Sequence, residues 1–141
     1  METTKPISQE PDVEIYIDIY CELYTPNIMS AARVTGAATK AIANFTQEIN
    51  MPLESCSSHI QQENCDTFKI IIEAKTVGKK AFSNSRQEYS WRNMVHRIGN
   101  QRFTRWQLKS YLLKRASSVS FCSYTLRKTS GSDLSMYNVY L

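Results

Sequence analysis

The most regular pattern in the chain is an alternation of apolar and polar residues from Val13 to Leu23. Val, Ile, Cys and Leu occupy the odd positions, while Glu, Asp and Tyr occupy the even ones. Because successive side chains of a strand point to opposite faces, this pattern predicts a half-buried β-strand. Its polar face begins at Glu14 and continues to position 24 with Tyr16, Asp18, Tyr20, Glu22 and Tyr24.

A long helix is predicted after this strand. Thr25 suits the N-cap, and Pro26 suits the first helical position, because the N–H that proline lacks would have no partner there. From Ile28 to Ile49 apolar or small residues recur at alternating steps of three and four, as on the buried face of an amphipathic helix. The polar stretch 53–66 has no such period and predicts a mobile loop.

The second half of the chain begins with another predicted strand, from Thr67 to Lys75, whose apolar residues lie on one face. Residues 85–99 fit two structures. A capping-box signature and helical spacing favour a helix that ends at Gly99, while an alternation within the same residues leaves a strand open.

A further helix is predicted from Thr104 to Ala116, and β-rich segments at 119–126 and 134–141 predict a terminal hairpin. These elements predict an α+β fold: a mainly antiparallel sheet with a long helix after the first strand and further helices packed on the sheet. The 141 residues are enough for one domain. We therefore expect a flexible arm at 1–11 and a single α+β domain at 12–141.

The formal net charge of +4 is unevenly distributed. Residues 1–66 contain three basic and ten acidic side chains, a charge of −7, whereas residues 67–141 contain fourteen and three, a charge of +11. A basic segment attracts phosphate groups and an acidic one repels them. Two interpretations stay open: the halves form oppositely charged faces, or they interleave in the fold and cancel.

Basic and aromatic residues are interleaved in the second half, a mixture that binds phosphates and stacks on bases or sits among lipid headgroups. Arginine, which suits phosphate recognition, is frequent there. The candidate phosphate-binding, nucleic-acid-binding or lipid-binding residues are Lys79, Lys80, Arg92, Arg97, Arg102, Arg105, Lys109, Lys114 and Arg115. The polar face of the first strand, in contrast, favours contact with protein and is the candidate self-association surface.

Four cysteines raise the question of metal or redox chemistry. The start of the chain has no secretory signal pattern, which predicts a cytosolic chain with reduced thiols. Cys56, His59 and Cys65 are the residue types that zinc prefers, yet the paired two-residue spacing of zinc sites is missing, so no metal site is expected. No catalytic or nucleotide-binding motif is found. We expect neither enzymatic activity nor a cofactor.

The order of the predicted elements resembles that of rhabdovirus matrix proteins: a polar arm, a strand, a long Ala-containing helix, a strand, and later a helix followed by a closing hairpin. The segments that carry this resemblance are 13–23, 28–49, 68–74 and 105–126. It implies a non-enzymatic protein that self-associates and binds ribonucleoprotein and the inner membrane leaflet. The arm of this chain is not basic and lacks a Pro-Pro-x-Tyr motif, which moves such binding to the basic second half.

The leading hypothesis is therefore a matrix-like viral assembly protein of the host cytoplasm and the virion. Its expected partners are copies of itself, the viral ribonucleoprotein or RNA, and an anionic membrane surface. The alternative is an RNA-binding regulator or host-defence antagonist, similar to a silencing suppressor, that uses the same basic residues. A small enzyme with a Cys/His site ranks last.

Overall fold

The computed structural model describes residues 15–77, 82–104, 120–128 and 134–140. The helices and strands are β1 (Ile15–Thr25), α1 (Ile28–Glu48), β2 (Leu53–Asn64), β3 (Thr67–Thr76), α2 (Ser85–Thr104), β4 (Phe121–Lys128) and β5 (Leu134–Tyr140). The expected arm at 1–11 and most of the expected helix at 104–116 lie outside the described residues. The fold is α+β, and the terminal hairpin is present as β4 and β5.

The five strands form one sheet in the order β2-β3-β1-β4-β5, and every neighbouring pair is antiparallel. Since β3 is antiparallel to both β1 and β2, those two strands are parallel to each other with β3 between them. The first six elements thus have the βαββαβ order of the ferredoxin-like or split βαβ motif, with β5 added beside β4. β2 and β5 are the edges of the sheet.

The core lies between one face of the sheet and the two helices. Alternation along β1 places Ile15, Ile17 and Ile19 on the buried face. Phe45 of α1 and Phe103 of α2 pack against Tyr124 of β4, with ring centroids 5.4 and 6.4 Å from that of the tyrosine. The two helices therefore cover the sheet from one side, which we call the helix side. The opposite side is called the open face, since no helix of the described residues packs on it.

Helix α1 begins two positions later than the sequence predicts, at Ile28 and not at Pro26. Its N-cap is Asn27, whose side chain accepts a hydrogen bond from the Ser30 amide at 2.7 Å, and not Thr25. Thr25 is instead the last residue of β1. Asparagine and threonine both suit an N-cap. Thr25 still pairs with Phe68 of β3, so the strand continues past the predicted cap and Asn27 takes that position.

Residues 53–64 form strand β2, so the prediction of a mobile loop at 53–66 is wrong. Eleven of its twelve residues are exposed, and β2 lies at the edge of the sheet. A strand that is exposed to solvent on both faces needs no alternation of apolar and polar residues. The periodicity on which strand prediction depends is absent for that reason.

Residues 85–104 are helical, which agrees with the favoured interpretation, but the helix does not end at Gly99. Gly99 is buried within α2, directly against the ring of Tyr124. It allows the helix to approach the sheet closely and is not a C-cap. Neither described helix has the length and apolar content needed to cross a bilayer.

Cys21 of β1 and Cys122 of β4 form a disulfide, contrary to the expectation of four reduced thiols. The two residues are directly opposed in the β1–β4 register, and both are buried on the helix side. That register is a tertiary property and cannot be obtained from cysteine spacing. Cys56 and Cys65 are free and exposed.

Candidate functional site

The polar residues predicted as a self-association surface do share the open face of β1. β1 is, however, the central strand of the sheet, flanked by β3 and β4. Its polar side chains are accordingly surrounded by those of the neighbouring strands, and the register determines which groups meet.

Glu22 is the centre of a hydrogen-bonded cluster on this face. The Tyr20 hydroxyl donates to Glu22 Oε1 at 2.8 Å, the Tyr24 hydroxyl donates to Oε2 at 2.6 Å, and Lys69 Nζ lies 4.0 Å from Oε2. The bond from Tyr24 is the main reason that the pKa of Glu22 is lowered. Desolvation, followed by the bonds to Glu22, raises the pKa of both tyrosines to about 12. Near neutral pH the cluster therefore holds one carboxylate and two neutral phenols.

The remaining acidic group of β1 is also paired by a neighbouring strand. Asp18 Oδ2 lies 2.8 Å from an Arg127 guanidinium nitrogen on β4. On the other side Lys75 of β3 lies over the Tyr16 ring, with Nζ 5.1 Å from the centroid. Strands from the acidic and basic halves alternate across β2, β3, β1 and β4, so within the sheet the halves interleave. The sheet therefore agrees with the second interpretation of the charge asymmetry, in which the two halves interleave in the fold and their charges cancel.

A shallow groove of about 430 Å³ lies at the middle of the open face. Hydroxyl groups from β1, β2 and β4 line it, together with Asp18, Glu73 and Lys75. Counted over β1, β3 and β4, the open face carries three anions and three cations: Asp18, Glu22, Glu73, Lys69, Lys75 and Arg127. Because these charges balance, the open face does not form the positive surface that phosphate binding needs.

The described arginines of the predicted phosphate site do not form one surface. Arg92 is 9% exposed, and its Nε lies 3.0 Å from Glu88 Oε2. Arg102 is ion-paired with Glu48 of α1. Arg97 is exposed, but successive members of the series 92, 97 and 102 are about 140° apart around a helix with 3.6 residues per turn.

Arg92 and Arg102 thus each have a carboxylate partner, and Arg92 is also buried. Neither observation favours phosphate binding, which stays a prediction for both residues. The other six predicted residues lie outside the described residues: Lys79, Lys80, Arg105, Lys109, Lys114 and Arg115.

The predicted loop at 53–66, which contains the zinc-type residues Cys56, His59 and Cys65, mostly forms strand β2. Cys56 opposes Ala74 and His59 opposes Ile71, so the two side chains point to opposite sides of the sheet. Cys65 lies in the turn after the strand. Among the described residues no three His, Cys, Asp or Glu side chains are grouped to hold a metal ion. Although Cys56 is exposed, partial desolvation by its neighbours raises the pKa of its thiol, which disfavours the thiolate that binds metal or attacks as a nucleophile.

Strand β2 is the feature that the sequence did not reveal. It pairs with β3 on one side, and no other described strand pairs with its outer side. Between Leu53 and Asn64 there is no Lys, Arg or Pro, which are residues that natural edge strands use to prevent pairing with another chain. The register irregularities are confined to the two ends of the strand.

Comparison with protein-family models, curated protein sequences and solved structures finds no match for this chain. The candidate site is therefore defined by geometry: a charge-balanced open face and a long exposed edge.

Proposed function

We propose that this protein is a non-enzymatic, matrix-like structural protein that works by self-association, and that β2 is its self-association site. The observation that carries the proposal is the exposed edge of β2. Twelve residues of strand extend over about 40 Å, with eleven of them exposed. Alternate backbone N–H and C=O groups of an edge strand point outward, so it is a template for pairing with another strand.

This proposal moves self-association from the open face of β1 to the edge of the sheet. The carboxylates and tyrosines of β1 bond mainly to groups of β1, β3 and β4, so a partner would have to replace bonds that already exist. The outward backbone groups of β2 bond to water in the monomer. Pairing exchanges those bonds for protein bonds at little cost.

Binding to ribonucleoprotein, RNA or an anionic membrane remains a prediction for the basic second half. Of its nine candidate residues, only Arg97 is both described and exposed without a described carboxylate partner. No described feature favours the alternative role as an RNA-binding regulator. RNA and anionic vesicles are therefore included as separate arms in the test.

The test compares two variants with the same change of side chain. Ser58→Lys places a cation in the middle of β2, where pairing would bury it against a neighbour, whereas Ser90→Lys places one on an exposed position of α2. Light scattering coupled to size exclusion should show a concentration-dependent oligomer for the wild type and Ser90→Lys, and a monomer for Ser58→Lys.

Because backbone pairing is not ionic, the oligomer should persist from about 0.1 to 0.5 M salt, over which exposed charges are increasingly screened. RNA or vesicle binding should instead fall steeply. A wild type that is monomeric at all concentrations contradicts the proposal, and so does a Ser58→Lys variant that assembles like Ser90→Lys.

A further inference from the structure

The register of β2 with β3 determines which side chains of β2 lie on each side of the sheet. Cys56, Ser58 and Ile60 oppose Ala74, Ile72 and Ile70, which places them on the helix side. The intervening Ser57 and His59 lie on the open face. Ile60 is the one residue of β2 among the exposed large hydrophobic residues of the described chain, at 38% exposure.

We propose that two copies of β2 pair antiparallel about a two-fold axis at Ser58, which joins two five-stranded sheets into one of ten strands. This inference rests on the proposed self-association and specifies its partner and geometry. In this register Ser58 opposes Ser58, and Cys56 of each copy opposes Ile60 of the other. The exposed isoleucine thus gains an apolar neighbour twice, since the axis repeats each contact.

Symmetry excludes pairing of the whole of β2, with Leu53 opposite Asn64. That register would oppose Ser58, on the helix side, to His59, on the open face, whereas opposed residues of two strands related by a two-fold axis come from the same side of their sheets. In the proposed register Glu54 opposes Gln62, an amide that can donate a hydrogen bond to the carboxylate. A shift of the axis to residue 59 would instead oppose the two His59 side chains and separate Ile60 from Cys56.

The axis also determines the shape of the dimer. Residues that oppose each other in this register come from the same side of their own sheets, so the helices of both copies lie on one side of the ten-stranded sheet. The interface is isologous and closes at two copies. The β5 strands then form the two outer edges of the joined sheet.

Disulfide trapping measures the register directly. In a background with Cys56→Ala, which keeps an apolar side chain opposite Ile60, and Cys65→Ser, single cysteines are introduced as Ser58→Cys or Gln62→Cys. The buried Cys21–Cys122 pair stays in place. Cα atoms directly opposed across antiparallel strands are about 4.5 to 5.5 Å apart, within the range of a disulfide. The two copies of residue 62 would be about 26 Å apart, eight residues along the strand.

After mild oxidation, the Ser58→Cys protein should run mostly as a covalent dimer on a non-reducing gel and the Gln62→Cys protein as a monomer. Light scattering of the wild-type protein separates the two proposals. If the wild type dimerises but Ser58→Cys does not cross-link, or Gln62→Cys cross-links equally well, the register is wrong and the proposed function stands. If the wild type is monomeric at all concentrations, the proposed function fails and the register fails with it.

Discussion

The close approach of α2 to the sheet predicts that one glycine-to-alanine substitution destabilises the protein while the same substitution in α1 stabilises it. A Cβ atom at Gly99 would lie 2.7 Å from Tyr124 Cζ and 2.8 Å from Cε1, well inside ordinary contact. At Gly36, which is exposed within α1, an added Cβ would meet no atom within 4 Å.

The ring of Tyr124 cannot move aside easily. It is fully buried and packs against Phe45 and Phe103, and its hydroxyl donates to the His96 carbonyl at 3.3 Å. Overpacking of this kind costs about 1–3 kcal/mol, while alanine gains about 1 kcal/mol over glycine in a helix. We expect Gly99→Ala to lower the free energy of unfolding by up to about 2 kcal/mol and Gly36→Ala to raise it by about 1 kcal/mol.

Chemical denaturation monitored by circular dichroism measures both changes. Thermal midpoints should move in opposite directions by a few degrees, at roughly 3 °C per kcal/mol for a chain of this size. Equal stabilisation by the two substitutions would show that α2 does not contact Tyr124 as described, and the packing of the helix side would have to be revised.

Two further predictions concern covalent and acid–base properties. If Cys21 and Cys122 are bonded, alkylation of the denatured, unreduced protein should modify two of the four cysteines, and all four only after reduction; four modified without reduction would disprove the disulfide. Because folding raises the pKa of Tyr20 and Tyr24 from 10.0 to about 12, the stability they contribute is complete below pH 10 and is lost as the pH rises toward 12. The lowered pKa of Glu22 has the opposite sign: its contribution is present above the ordinary value of 4.5 and is lost as the pH falls through the folded value. Glu22→Gln should reduce both dependences in denaturation curves and shift tyrosine ionisation, followed by ultraviolet absorbance, toward pH 10; unchanged curves would contradict the cluster.

The elements that the sequence predicts correctly are those that bury one face. β1 alternates because Ile17 and Ile19 face the helices while Tyr16 and Asp18 do not, and α1 repeats because Ala38 and Phe45 lie on its buried face. In both cases the period of the apolar residues reflects which side of the element faces the core. The fold class followed from elements of this kind.

The features that the sequence did not reveal depend on contacts between distant segments. β2 is exposed on both faces and so has no apolar period, and Gly99 is required by a ring 25 residues further along the chain. The pairing of Asp18 with Arg127 depends on the β1–β4 register. A composition count reveals the two charged halves but not that the sheet interleaves them.

Hydrogen exchange of the β2 backbone amides, measured as a function of protein concentration, shows whether β2 is the self-association site. About half of these amides point outward and exchange freely in a monomer, but they become hydrogen-bonded when a second strand pairs with the edge. We predict that slow exchange in peptides covering residues 53–64 rises with concentration in the wild type and in Ser90→Lys, but not in Ser58→Lys. Exchange in this segment that is independent of concentration, in a wild type that nevertheless oligomerises, would show that the copies associate through another surface.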